Sequence, residues 1–352
     1  RTFSLGIGAP SFDERPFAQA VAQRFGTQHQ AWRIAHQELL DVIPRLGRLI
    51  DEPMADASIV PTHLLAAFTR SQVKVILGGD GGDELLGGYP TYRAHELAQQ
   101  YRCLPRWRRQ RVIAPAIQRL PVSCRYFSTE FRLKRFVAGA EEASPPLRHA
   151  RWMGLASSHQ TRDLLHPDWS GALDLASLAR PYESHWDHVD VVTGAMRCDF
   201  HLYLQELVLM KVDRASMAAS LEVRAPFLDV ELMEWLAALP RSWKMRGPRS
   251  KYLLRRAFGE ALPPAVLRRG KQGFALPVGQ WLHGPLRTLA GDLLSPARVK
   301  ARGVWNAPAV HDLLEAHWAR RENYERILWA LLAFELWQEQ VCSATPACEV
   351  AA

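Results

Sequence analysis

The sequence is short of the features that mark several protein classes. Its 352 residues include five cysteines, Cys103, Cys124, Cys198, Cys342 and Cys348, and no Cys-x-x-Cys pair. An odd number at such wide spacing indicates neither a disulfide framework nor a zinc site, and a reducing cytoplasm suits it best. No run of roughly 18 apolar residues occurs, so no membrane partner is expected. The opening residues lack the apolar stretch of a signal peptide. Internal repeats and low-complexity tracts are absent as well. The chain starts at Arg1 rather than at a methionine and opens directly into a strand-like run, so a piece of a longer protein is expected.

What is there supports a folded enzyme-sized unit. Apolar residues make up 48% of the chain, enough for a sizeable core. The formal charge of +8 permits anionic partners such as nucleotides or nucleic acid. "TFSLGIG" (Thr2 to Gly8) reads as a strand, and "FDERPFAQAVAQRF" (Phe12 to Phe25) has apolar positions at helical spacing, stopped by Gly26. "HQAWRI" reads as a second strand, Leu39 to Ile50 and Pro61 to Thr69 as helices, and Lys74 to Leu77 as a short buried strand. Strands alternating with helices predict parallel βαβ units over 1–90. Beyond Tyr92 the strand signal fades and long helical patterns dominate 91–352, including "YLQELVLMKVDRASMAASLE" and "ERILWALLAFELWQEQ". The predicted fold class is therefore α/β, with a parallel sheet followed by a large helical region.

One stretch is chemically conspicuous. "VKVILGGDGGDELLGGYPTYR" (Val73 to Arg93) ends a strand in six glycines interleaved with two aspartates and a glutamate. A generic turn is the simplest reading. Gly78 to Leu86 also matches the calcium-binding nonapeptide, but that architecture needs stacked copies and only one is present. A Walker A loop needs a lysine followed by Ser or Thr, which Leu86-Gly87-Gly88 does not supply. The remaining reading is an anion and metal site at the carboxyl end of a parallel strand, where such sheets place ligands. Glycines at 78, 79, 81 and 82 let backbone N–H groups approach a phosphate. Asp80 and Asp83 could hold a hard cation such as Mg²⁺, which in turn holds phosphate. A helix starting near Asp83 would add positive potential.

Other segments offer partners or competitors. "SKYLLRRAF" places Lys251 and Arg255 four residues apart, on one helical face. Lys211, Asp213, Arg214, Glu222, Arg224 and Asp229 alternate with apolar residues, as either a salt-bridge network or part of a site. The basic run "RWRRQRVIAPAIQR" (Arg106 to Arg119) reads as a solvated face, with nucleic acid as the alternative partner. His185 and His188 in "HWDH" could ligate metal but lack a third ligand nearby. Trp329 and Trp337, eight residues apart, lie on one helical face for core or subunit packing, which leaves a homodimer open.

Four ordered segments resemble glutamine-hydrolysing asparagine synthetases. They are the glycine stretch, "LVLMKVDRASMAASLEVRAPFLD", "RSWKMRGPRSKYLLRRAF" and "LPPAVLRRGKQGFALPVGQWL". "FSLGIGAPSFDERPFAQAVAQRFGTQHQ" and "DEPMADASIVPTHLLAAF" resemble them too, so the likeness covers nearly the whole chain. The resemblance implies a PP-loop ATP pyrophosphatase-like, adenine-nucleotide-binding core with a helical region behind it. It implies ATP-dependent amidation of aspartate through an acyl-adenylate, with Mg²⁺, release of AMP and pyrophosphate, and ammonia from glutamine. It places the backbone of Leu5 against adenine, and Gly78 and Gly79 at the nucleotide. Asp80 stands where an acid, often Glu, assists formation and breakdown of the acyl-adenylate. Asp83 helps hold Mg²⁺ and pyrophosphate, and Lys251 stabilises charge developing on phosphate.

The sequence departs from that pattern in three ways. Gly78-Gly79 replaces the usual Ser-Gly, removing a hydroxyl. Asp80 is shorter than Glu by about 1.5 Å of reach. The Ser-Gly-Gly-x-Asp-Ser loop and its strand, and the glutaminase with its amino-terminal cysteine, would lie upstream of Arg1. The missing strand is expected near the centre of the sheet, so its neighbours should show bare edges. A glutaminase domain or separate chain is the expected partner. A relative that activates another carboxylate, as an amidotransferase or cyclase, is the alternative within the family.

Overall fold

A computed structural model describes residues 1–8, 10–171, 174, 177–187 and 189–344; His188 and Cys348 lie outside the described residues. The chain is a mixed, helix-rich α/β protein with two small parallel sheets. The first sheet pairs β1 (Thr2–Ile7) with β2 (His29–Ile34), joined by α1 (Arg15–Phe25). Gly26 ends α1 in the left-handed region at φ 62°, a conformation that costs glycine nothing. Leu5 sits opposite Trp32 in this sheet and is buried in the main core.

The region 39–50 is not one helix. The helix α2 (His36–Val42) gives way to a 3-10 turn over Ile43–Arg48, because Pro44 cannot donate to a continuing ladder. The helix α3 (Ile59–Arg70) then leads to β3 (Val75–Leu77). This strand is not buried as expected: Val75 is 42% exposed and Leu77 72%. Among the described residues it pairs on one edge only, with a single partner strand, and of its three side chains only Ile76 is partly covered.

Four further helices pack against one another beyond the glycine stretch. They are α4 (Pro90–Arg102), α5 (Thr129–Ala140), α6 (Pro145–Met153) and α7 (Val191–Cys198). A π-helical segment, Asp199–Leu209, continues from α7 into α8 (Met210–Met217). The helical pattern predicted through Glu222 stops earlier, at Ser220, whose φ of 58° turns the chain. The chain then forms β4 (Glu222–Arg224), parallel to β3 with Ile76 opposite Val223. The last helices relevant here are α9 (Tyr252–Phe258) and α10 (Glu325–Ala344).

The main core joins Leu5, Ile7 and Ile34 of the first sheet to Leu328, Trp329, Leu331 and Leu332 of α10. Trp329 is a core residue, whereas Trp337 is partly buried and donates from Nε1 to the Asp51 carbonyl, 3.1 Å away. A second, polar spine ties three helical segments together. His95 of α4 and His149 of α6 meet at 3.1 Å, and His149 Nε2 lies 2.9 Å from Asp199 Oδ1 at the start of the π-helical segment. All three are essentially inaccessible to solvent. This spine fixes α4, which follows directly from the glycine stretch, against the segment that leads to Lys211. No helix among the described residues is long and apolar enough to cross a membrane. The Arg106–Arg119 run is mostly exposed, with Trp107 and Val112 facing solvent, while Arg109 is partly covered and pairs with Glu141.

Candidate active site

The glycine stretch leaves β3 with the Gly78 N–H donating to the Arg224 carbonyl at 2.8 Å, so β4 anchors its first residue. The turns that follow do not form a helix at Asp83, contrary to expectation. Gly81 and Gly87 adopt φ of 85° and 68°, which no helix allows, and the next helix begins only at Pro90. At Gly81 a side chain would also run into Leu228. The result is a compact loop that turns its acidic side chains toward incoming lysines.

Asp83 is the hub. Lys251 Nζ lies 2.9 Å from one carboxylate oxygen and Lys271 Nζ lies 2.8 Å from the other. The loop and Lys251 are also tied through the backbone, where the Lys251 N–H donates to the Leu86 carbonyl at 3.1 Å. Lys251 does not share a helical face with Arg255. Its φ of 51° places it before α9 in the left-handed conformation, which swings its side chain toward Asp83. Arg255 instead donates to the carbonyls of Ser250 and Leu267.

Behind the hub, Lys211 Nζ contacts Asp56 Oδ2 at 3.0 Å and Ser58 Oγ at 2.8 Å. The charge-rich segment containing Lys211 therefore divides. Lys211 belongs to the site, whereas Arg214 pairs with Asp51 and Asp213, and Arg224 with Glu222, at the surface. The Tyr89 phenol donates to buried Glu84 at 2.5 Å, and its ring lies 5.7 Å under the Lys271 ammonium. The structure thus brings Asp80, Asp83 and Lys251 to one place. Leu5 lies in the other sheet, so no strand pairing carries it to the loop. Gly79 faces open space, and a side chain at Gly78 would press on the Asp80 carboxylate, 2.9 Å from its would-be Cβ.

The two aspartates are held in different electrostatic states. Burial pushes the Asp80 carboxyl above its ordinary value, against the pull of Lys211 and Lys271. Burial also raises Asp83, but Lys271 and Lys251 outweigh it and its net shift is downward. A depressed carboxylate stabilises the fold above the unfolded-state value and loses that contribution as pH falls through the folded one. A raised carboxylate has the opposite sign, since its ionised form costs stability until it is protonated. On acidification, Asp80 is therefore expected to take up its proton first and Asp83 last. A carbon-13 carboxyl titration followed by NMR reads the order directly. The reverse order would mean that the lysines do not sit on Asp83 in solution.

Sequence reasoning missed Lys271, Asp56, Tyr89 and Glu84, and left Lys211 undecided. Lys271 carried a local signal, a lone lysine between Gly270 and Gly273 in a segment with no helical period. Asp56 and Tyr89 had none beyond their place inside matching segments. Among the described residues, no three His, Cys, Asp or Glu side chains converge as a metal cluster. His185 stacks on His201 with ring centres 4.7 Å apart.

Lysines from three distant parts of the chain thus face carboxylates around a glycine loop at the end of a parallel strand. The arrangement suits positioning and charge neutralisation of a polyanion. Comparison with known proteins agrees with it. The sequence profile of the family described as "Asparagine synthase" matches residues 1–339. A putative glutamine-hydrolysing asparagine synthetase of Mycobacterium bovis is 33% identical over 347 residues, covering 96% of this chain and 50% of the relative. Asparagine synthetase [glutamine-hydrolyzing] 1 of Bacillus subtilis is 26% identical over 339 residues, covering 96% and 51%. A protein of Gibberella zeae named amidase chry2 is 23% identical over 346 residues, covering 91% and 49%. The chain spans about half the length of the curated relatives it matches. By the extent of the profile match and of these relatives, this chain belongs to the asparagine synthase family.

Proposed function

We propose that this chain carries the synthetase half of a glutamine-dependent carbon–nitrogen ligase that converts aspartate to asparagine. The observation that carries the reading is the convergence of Lys251 and Lys271 on Asp83, beside an Asp80 whose proton is held more tightly than usual. In this reading, ATP binds at the carboxyl ends of a PP-loop ATP pyrophosphatase-like core, with Gly78 and Gly79 under the phosphates and Leu5 against adenine. An oxygen of the acceptor carboxylate attacks the α-phosphorus. The α–β bridging bond breaks, and pyrophosphate leaves with its new charge met by Lys251 and Lys271. Ammonia then attacks the acyl carbon, the bond to AMP breaks and AMP departs, and Asp80 takes up the proton that the attacking amine loses and passes it on to solvent. The ammonia is drawn from glutamine by a glutaminase partner. The 1–90 part supplies most of the loop site and the 91–352 part supplies the lysines and β4.

A cation held by protein ligands alone does not fit, since both oxygens of Asp83 are occupied by lysines. An ion that keeps its waters and arrives on the phosphates fits better, because Mg²⁺ then needs only one or two carboxylates. Asp83, once one lysine moves to phosphate, and Asp80 are the two on offer. When bound, the ion would neutralise charge on the β- and γ-phosphates.

The test is pyrophosphate release by the natural polypeptide that contains this chain, with ATP, ammonium and either L-aspartate or other carboxylic acids. Aspartate-dependent formation of AMP, pyrophosphate and asparagine in equal amounts is expected, and Asp80→Asn should lower the rate about 10²-fold. ADP and inorganic phosphate as products would overturn the adenylation step. A better response to a peptide or sugar acid would instead favour a relative that activates another carboxylate, a reading that the amidase-named relative keeps in view.

A further inference from the structure

The two lysines on Asp83 are not held alike. Lys271 Nζ donates to Oδ2 at 2.8 Å with hydrogen-bond geometry. Lys251 Nζ approaches Oδ1 at 2.9 Å, but outside the angles that a hydrogen bond needs. Lys271 also has a second support, since its ammonium lies 5.7 Å from the centre of the Tyr89 ring. That separation is within the range of a cation–π contact. Among the described residues, the Lys251 ammonium has no such ring beneath it.

The backbones differ in the same sense. Lys271 sits in an irregular segment that is tied down on both sides. Arg269 pairs with Glu14, and the Gly273 N–H donates to the Tyr126 hydroxyl. Gln272, next to Lys271, donates from Nε2 to the Ser11 carbonyl at 3.0 Å. Lys251 sits instead at φ 51°, a conformation that is costly for any residue with a Cβ. Tyr89 is fixed as firmly as Lys271. Its phenol donates to Glu84, the residue after Asp83, and its ring meets that of Tyr203 edge-on with centres 5.5 Å apart. Burial pushes the Tyr89 phenol upward, so it stays a neutral donor and carries no proton for the reaction.

We infer that Tyr89 is a positioning residue that keeps Lys271 on Asp83, which makes Lys251 the lysine released to the phosphates. This role rests on the reading above, in which the site receives a triphosphate. An incoming polyanion competes with Asp83 for both ammoniums, and the less firmly held of the two transfers. An ammonium has three N–H groups, so Lys271 can keep one on Asp83 and turn another to the departing pyrophosphate. Tyr89 therefore decides which of two chemically identical side chains does the moving.

Two measurements on the natural polypeptide containing this chain test it. Crystal structures without ligand and with inorganic pyrophosphate should show Lys251 Nζ moved from Asp83 to the anion, while Lys271 stays on Oδ2 above Tyr89. Lys271 on the pyrophosphate with Lys251 still at Asp83 overturns the inference. The second measurement is ATP-dependent pyrophosphate release by single and double variants. Tyr89→Leu should lower kcat about 10-fold and leave the KM for the acceptor within about two-fold. Tyr89→Phe, which keeps the ring and loses its tether to Glu84, should cost about three-fold. In a Lys271→Ala background, Tyr89→Leu should cost less than about two-fold, because the lysine it acts through is gone. A tyrosine that only fills space would cost the same in both backgrounds, and that result overturns the inference. Should Tyr89→Leu fail to fold, Tyr89→Phe is compared in the two backgrounds instead. Absence of pyrophosphate release by the unaltered protein would sink the adenylation reading, and the pair of crystal structures would still decide which lysine moves. If pyrophosphate neither binds nor is released, both readings end.

Discussion

Replacing Asp83 with alanine is expected to lower ATP-dependent pyrophosphate release by on the order of 10³-fold. The carboxylate is the one group that gathers Lys251 and Lys271, each within 3 Å of a different oxygen. Without it the two ammoniums repel each other, and neither is held where pyrophosphate charge develops. Lys251→Ala should cost a comparable factor for the complementary reason. The double variant should be little worse than either single one, because residues that act as a unit lose their joint effect once. Stopped-flow or coupled-enzyme assays of all three variants, with melting curves to establish folding, would read this. Factors that simply multiply in the double variant would show that the acid and the lysine work independently.

The second large effect involves no charged residue. A Cβ on Gly88 would lie 1.8 Å from Asp83 Oδ1 and 2.6 Å from Lys251 Cε. The lysine can swing away, but the carboxylate is pinned by Lys271, and the Asp83 carbonyl accepts a hydrogen bond from the Gly88 N–H at 2.8 Å. Gly88→Ala should therefore force the Lys251–Asp83 pair apart. The expected outcome is a loss of turnover of about 10²-fold with only about 1 kcal/mol of lost stability. A crystal structure of the variant would show whether the pair has separated. Near-normal turnover would mean that the paired geometry is a resting arrangement which the reaction does not use.

Much of the first sheet could be read directly. Alternating strand and helix periods located β1, α1 and β2, and Gly26 marked a helix end because few other residues tolerate its backbone angles. The strand β4 was not legible. Its three residues carry two charges, and it is extended only because β3 offers it a parallel partner some 150 residues away in sequence. The helix expected at Asp83 fails for a local reason, since Gly81 and Gly87 turn the backbone at positive φ. The shared face expected of Lys251 and Arg255 fails for the same kind of reason, one residue before the helix starts. The acids of the site were visible as a dense local cluster. The convergence of Lys211, Lys251 and Lys271 is a product of tertiary packing, and no window of sequence contains it.

The backbone at Lys251 has a consequence for how this protein could change. A lysine with φ of 51° occupies a conformation that glycine would adopt more cheaply, by about 1 kcal/mol. A glycine there would relax the backbone but would leave the shielded Asp83 carboxylate with one lysine instead of two. The strain is therefore offset by the same ion pair that the reaction uses, so folding and turnover both hold this lysine in place and tolerate few substitutes.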